Sequence, residues 1–294
     1  MPPTRVTLSE LRDLDRSALA LDRRPGGALA ALFPGPMPGR RPGPGLDFEG
    51  VRPYQWGDDP GAIDWRVTAR TGKLHTKVFR EGREGTLWLV LDAGPAMHFA
   101  TRGAFKWVRA AQLAALAAWL AWEEEARLGL VLHGGGERPQ LLPAARGEGA
   151  LMRLFGRLAE VAPPDTHNPA GLEDAARVLT GRLTPGARVL CIGACDDFHP
   201  TALAPLAARA RLTVVWLHDP LERHPPPPGD YPLTDGRRCR GWLTIGGARQ
   251  AHRWRRAFES RRRTLARGVT RLGGHFLDLG VERPPTELLE REPP

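Results

Sequence analysis

The sequence predicts an α/β fold, doubly wound around a mostly parallel sheet. Two observations carry this. Four short runs are apolar throughout: Leu87 to Leu91, Leu128 to Leu132, Val189 to Ile192 and Leu212 to Leu217. Strands apolar on both sides are covered on both faces, as in parallel sheets. Helical patterns also separate these runs, and that alternation is the mark of α/β architecture.

The elements follow in order. Residues 4–22 read as an amphipathic helix, with a capping box in Thr7-Leu8-Ser9-Glu10 and one apolar face made of Leu8, Leu11, Leu14 and Ala18. Residues 24–46 carry so many Pro and Gly that neither helix nor central strand is expected, only a loop or arm. A dense stretch, Leu46 to Phe79, holds Tyr54, Trp56, Trp65 and several charges. Within it, Asp59 is placed to cap a short helix that begins at Pro60. After the first strand come helices over Phe105–Trp122, Ala150–Val161, Ala170–Leu183 and Pro200–Ala210. The run Pro225 to Gly229 forms a stiff exposed connection. An Arg-rich helix over 247–272, with Trp254, Phe258, Leu265, Val269 and Leu272 on its apolar side, precedes a closing strand, His275 to Leu279. The organisation is therefore 1–45 helix and arm, 46–85 dense segment, 86–220 α/β domain, and 221–294 a helix–strand elaboration. In such sheets ligands sit beyond the carboxyl ends of strands, which singles out Asp92 after the first strand and Asp196 and Asp197 after the third.

Composition bounds the function. The 294 residues carry 42 Lys+Arg against 33 Asp+Glu, a net charge of +9. Only Lys73, Lys77 and Lys106 are lysine, so the surplus is Arg bias and points weakly to nucleic acid. Cys191, Cys195 and Cys239 are too few for a disulfide framework, and Cys191 reads as a buried strand thiol. No signal peptide is evident, and the apolar run Ala110 to Trp122 is too short to span a bilayer, so a cytoplasmic protein is expected. Ser9, Ser17 and Ser260 lie in no nucleophile elbow. Thr71-Gly72-Lys73 lacks the rest of a phosphate loop, and neither H-E-x-x-H nor paired C-x-x-C occurs. Gly134-Gly135-Gly136 opens no helix and reads as a solvent loop, and His75, His98, His133 and His199 read as capping or filling residues.

The string Leu46-Asp47-Phe48-Glu49-Gly50-Val51-Arg52-Pro53-Tyr54-Gln55-Trp56-Gly57-Asp58-Asp59, then Ile63-Asp64-Trp65 and Ala69-Arg70-Thr71-Gly72-Lys73-Leu74, resembles the signature of the domain of unknown function 58 family. The resemblance implies a von Willebrand factor A-like domain over 86–220, with the 46–85 segment packed on it. It also implies a non-enzymatic protein–protein interaction role, as an adaptor or assembly factor beside a MoxR-type AAA+ ATPase, the client being unspecified. Within the signature, Arg52, Asp58, Asp64 and Arg70 suggest an ion network tied down by Tyr54, Trp56 and Trp65. Arg52, Tyr54, Asp58, Asp59, Asp64, Trp65 and Arg70 form the expected partner-docking surface.

A von Willebrand factor A domain binds Mg²⁺ through D-x-S-x-S, a Thr on a second loop and an Asp on a third. Here Asp92 stands, but Gly94 and Ala96 replace both serines and Ala170 stands where Thr is expected. Asp196 and Asp197 keep the third loop's carboxylates. The expectation is a degenerate metal-ion-dependent adhesion site that holds Mg²⁺ weakly at most. Its Asp92 and Asp197 carboxylates are expected to accept loop N–H bonds or pair with an Arg, the sharper alternative being that the crevice engages a basic partner segment directly. The alternative reading is nucleic-acid binding through the Arg-rich helix, residues 249–271.

Overall fold

The structure, a computed structural model, describes residues 3–15, 32–33, 42–56, 58–80, 85–164, 169–195, 199–234 and 239–287. Asp196 and Asp197 lie outside these residues, as does the whole 16–31 stretch that includes Ala18. The chain divides into two units, Met1–Pro34 with Gly85–Pro294, and Gly35–Glu84.

The expected capping box opens helix α1 (Leu8–Arg12): Thr7 Oγ1 accepts the Glu10 N–H, and Glu10 Oε2 accepts the Thr7 N–H at 2.8 Å. Leu11 is buried and its carbonyl accepts Trp119 Nε1–H at 3.1 Å, while Leu8 stays largely exposed.

The smaller unit is an antiparallel ribbon of β1 (Pro42–Pro53) and β2 (His75–Arg80), with Val51 opposite Lys77 and Arg52 opposite Thr76. Residues 42–46, expected in the arm, thus belong to a strand. An edge ribbon accommodates Pro42 and Pro44, which a central strand would not. Between the strands sit a 3₁₀ turn, Pro60–Ala62, and helix α2 (Trp65–Thr71). Asp59 caps the turn by accepting Gly61 N–H at 2.8 Å, as expected, and Gly72 ends α2 in the left-handed region at φ 71°. None of the described apolar side chains of this unit is buried, and Trp56, Trp65 and Leu74 are exposed.

The larger unit is built on a six-stranded sheet. Its elements are β3 (Thr86–Asp92), α3 (Lys106–Glu123), β4 (Arg127–His133), β5 (Gln140–Ala145), α4 (Glu148–Glu160), α5 (Leu172–Thr180), β6 (Arg188–Gly193), α6 (Pro200–Ala207), β7 (Arg211–His218), α7 (Pro220–Arg223), the hairpin β8 (Gly229–Thr234) and β9 (Cys239–Ile245), α8 (Ala248–Arg271) and β10 (His275–Gly280). The strand order is β10-β7-β6-β3-β4-β5, parallel except for β5, which runs antiparallel to β4. The expected apolar strands and their helices all appear. The edge strand β5, the hairpin β8–β9 and the turn of α7 were not anticipated.

Both faces of the sheet are covered, and β3 shows why. Leu87, Leu89 and Leu91 point into a cluster with α1, α3 and α4, while Trp88 and Val90 point into another with α5, α6 and Val269 of α8. Thirteen of the 18 residues of α3 are buried, and its alanines let it lie close to the strands. Gly129 on β4 makes room for Trp88, because a methyl group there would fall 2.4 Å from the indole ring. Among the described residues no helix is long and apolar enough to cross a membrane.

Two polar ties close the ends of the sheet. At the carboxyl end, Asp219 is fully buried and caps α7; its carboxylate accepts the N–H groups of Leu221 at 2.8 Å and Thr101 at 2.7 Å, and the Thr101 hydroxyl. At the amino end, buried Leu32 and Phe33 offer their carbonyls to Thr213 Oγ1 and to Arg211 Nη2, the latter at 2.9 Å. The Arg188 guanidinium lies over the Phe33 ring at 5.8 Å and pairs with Glu124 at 2.7 Å. A methyl built on Gly85 would sit 3.6 Å from Arg188 Nη2.

Candidate functional site

The chain leaves β3 for β4 on one side and β6 for β7 on the other. Adjacent strands whose connections diverge leave a crevice at their carboxyl ends. There the larger unit has a cleft of about 320 Å³, bordered by Asp92, Gly94, Pro95 and Ala96, by His133 and Gly134, by Pro169 to Leu172, and by Cys191, Gly193 and Cys195. Val90 and Val214 add to its apolar wall.

Asp92 is held rather than merely present. Its Oδ1 accepts the Gly94 N–H at 2.8 Å. Glycines of three loops pack around it: a methyl at Gly134 would sit 2.7 Å from Oδ1, one at Gly94 2.9 Å from it, and one at Gly193 2.8 Å from Asp92 Cβ. Gly134 donates to Ala170 O and Ala170 donates to Gly136 O, both at 2.8 Å, which stitches the loop after β4 to the loop before α5. The triple-glycine segment is therefore not simply a solvent loop; Gly134, at φ 79°, is a buried wall of the site.

His133 stands opposite Asp92 across the β3–β4 register. Burial pushes its pKa down from the usual histidine value, the Asp92 charge opposing the shift. His98 is lowered in the same way, mainly by burial, and stacks on Trp107. Cys191 is buried as expected, and burial pushes its thiol up to about 12. Cys195 adopts φ 55°, its Sγ contacts Gly193 O at 3.7 Å, and its carbonyl accepts Arg261 Nη2 at 2.8 Å. Among the described residues no group of three His, Cys, Asp or Glu side chains is placed to hold a metal.

The signature residues separate into two local devices in the smaller unit. Arg52 pairs with Asp58 at 2.7 Å, Tyr54 donates to Asp58 O at 3.2 Å, and Gln55 N–H donates to Asp58 Oδ2 at 2.9 Å. The Arg52 bond, then that of Gln55, holds the Asp58 carboxyl below its ordinary value. Asp64 does not join this pair. Its Oδ1 caps α2 by accepting Arg66 and Val67 N–H at 3.0 and 3.1 Å. Arg70 is exposed on α2 with no ion pair among the described residues, and Trp56 and Trp65 face solvent. The four-residue network expected from the sequence therefore does not form, because two N–H groups at a helix start claim the Asp64 carboxylate.

Helix α8 buries Phe258, Leu265 and Val269 as expected, and Trp254 Nε1–H reaches Leu221 O and Glu222 O at 3.0 Å. Two of its arginines turn inward: Arg261 to the Cys195 carbonyl, and Arg262 to Asp278 at 3.2 Å. Arg249, Arg253, Arg255, Arg256, Arg263, Arg267 and Arg271 remain exposed.

The Asp278 cluster had no signal in the sequence. It borders a second, polar cleft of about 350 Å³ at the carboxyl ends of β7 and β10. Asp278 lies 3.6 Å from buried His218 Nε2, and its carboxyl is pushed down to about 2, first by His218 and then by Arg262. A depressed carboxyl adds stability that is complete above the unfolded value of 3.8 and disappears as pH falls toward about 2. With its partial exposure discounted for screening, the contribution is on the order of 1 kcal/mol. Urea unfolding of wild type and Asp278→Asn is expected to differ at pH 6 and to converge on acidification through that window.

Residues 50–266 match the family model described as protein of unknown function DUF58. Uncharacterized proteins of Mycobacterium tuberculosis and Mycobacterium bovis are each 28% identical over 263 residues, covering 87% of this chain and 81% of theirs. Among solved structures, the conserved hypothetical protein BatB from Bacteroides thetaiotaomicron is similar with TM-score 0.42 and 13% identity, over 66% of this chain and 90% of that one. An aerotolerance-related membrane protein from Bacteroides fragilis is similar with TM-score 0.42 and 11% identity, over 69% and 96%. The family match runs from within the signature to α8 and takes in the Asp92 cleft, so the chain belongs to the DUF58 family.

Proposed function

We propose that the protein is a non-catalytic protein-interaction module, von Willebrand factor A-like in fold, and a cytoplasmic adaptor or assembly-factor partner of a MoxR-type AAA+ ATPase. The observation that carries this reading is the character of the strand-end cleft. One carboxylate stands beside a single histidine, His133, in an otherwise largely apolar cleft, and the Cys191 thiol is held protonated. Such a surface suits recognition better than bond-making.

The smaller unit supports the same reading. Its ribbon buries no described apolar side chain and exposes Trp56 and Trp65, and tryptophan is the residue most enriched at binding hot spots. Arg52, Tyr54, Asp58, Asp59 and Asp64 fix the turns that present them, and Arg70 adds a neighbouring charge.

Sedimentation of the full chain mixed with a purified MoxR-type ATPase tests the proposal. A complex whose affinity depends on ATP or ADP, and which Trp56→Ala or Trp65→Ala weakens about tenfold, is the expected result. No complex at tens of micromolar would overturn it. The exposed arginines of α8 keep the nucleic-acid reading as the rival, and retention on DNA that falls steeply with added salt would favour it.

A further inference from the structure

We infer that the strand-end cleft is a slot for one ammonium-bearing side chain, a lysine of the docking partner, gripped by Asp92 with no bridging metal ion. The inference rests on the docking role proposed above and names what the cleft takes.

A magnesium ion does not fit the described walls. It needs near-octahedral oxygen coordination, and Asp92 is the one described lining residue with a carboxyl side chain. Its Oδ1 already takes the Gly94 N–H and is closed in by the backbones of Gly94 and Gly134. Gly94, Ala96 and Ala170 bring no side-chain oxygen, and the Ala170 carbonyl is occupied by Gly134 N–H.

What remains is one carboxylate oxygen, Oδ2, which accepts no bond from a described residue, in a cleft lined also by Val90, Pro95, Leu172 and Val214 and by the histidine His133, whose pKa burial lowers. A neutral apolar occupant would leave that charge buried without compensation, and an anion would be repelled. A guanidinium binds best through both oxygens of a carboxylate, and Oδ1 is taken. An ammonium needs only one oxygen, and its methylene stem suits the apolar walls. The volume of about 320 Å³ lies at the small end of ligand pockets, room for one long side chain.

The probe is n-butylammonium, titrated into the full chain while the amide NMR shifts of Gly94, Gly134 and Gly193 are followed. Saturable shifts are expected, with n-butanol and the Asp92→Asn variant each binding about tenfold more weakly or less. Asparagine keeps the oxygen that accepts Gly94 N–H, and the n-butanol comparison tests the charge on the unaltered protein. Equal binding of n-butanol, undiminished binding of butylammonium by Asp92→Asn, or saturable Mg²⁺ shifts centred on Gly94 would overturn the slot. An ATPase complex without butylammonium binding would sink the slot and spare the partner; butylammonium binding without an ATPase complex would do the reverse.

Discussion

Replacing Asp219 with alanine is expected to lower the unfolding free energy by about 3–5 kcal/mol. Asp219 is fully buried, and three donors converge on it: the N–H groups of Thr101 and Leu221, and the Thr101 hydroxyl. Alanine removes the cap of α7 and unties the loop before α3 from the end of β7. It also leaves those donors buried without an acceptor, and the unsatisfied groups dominate the cost. The thermal midpoint is expected to fall by about 10 °C, since each kcal/mol is worth roughly 2–4 °C in a chain of this size. Asp219→Asn retains an acceptor but turns an amide donor toward donors, so an intermediate loss is expected. Urea titration of the two variants separates the contributions. A loss below about 1 kcal/mol for alanine, that of an ordinary exposed cap, would show that water replaces the carboxylate.

Gly134→Ala is expected to be the most damaging single methyl at the cleft. The residue sits at φ 79°, and the added methyl would fall 2.7 Å from both Asp92 Oδ1 and the Gly94 nitrogen. A left-handed alanine costs about 1–2 kcal/mol, and overpacking a tight site adds about 1–3. The sum is about 2–4 kcal/mol, with the Asp92–Gly94 bond broken as the wedge enters. Gly135→Ala is the matched control, because its methyl would approach nothing closer than 3.4 Å. Thermal melts read the stability, and butylammonium titration reads the site. The first variant is expected to lose the response and the second to keep it.

The two positions differ in how far the sequence announces them. Asp92 ends an uninterrupted apolar run, and a carboxylate there is conspicuous. Gly134 and Gly193 wall the same carboxylate from loops far along the chain, and no spacing rule connects them. Short-range chemistry was legible for the same reason that Asp92 was. Asp59 before Pro60, and the Thr7–Glu10 box, act within three residues of themselves. Asp64 shows the limit of such reasoning, because a carboxylate two residues from free helix N–H groups caps the helix rather than joining a distant ion pair.

The missed strands share a physical cause. Pro143 interrupts β5 and Pro232 interrupts β8, while β9 carries Gly241 at φ 157°. Each lies at a sheet edge or in a two-stranded hairpin, where prolines and irregular glycines are tolerated and the alternation of apolar residues is blurred. The Asp278 cluster escaped because His218, Arg262 and Asp278 come from β7, α8 and β10 and meet only through the register of two parallel strands.

The Arg188 guanidinium lies over the Phe33 ring, and a methyl built on Gly85 would fall 3.6 Å from its Nη2, so residues 33 and 85 both lie near one side chain of the larger unit. Residues 35–84 are therefore, in engineering terms, an insertion whose flanking residues lie near each other. Domains accept insertions where the two ends of the interruption lie close together. Joining residue 34 to residue 85 through a few Gly-Ser residues is expected to leave the six-stranded sheet folded and its melt cooperative. Heterologous modules with adjacent termini become exchangeable at the same seam.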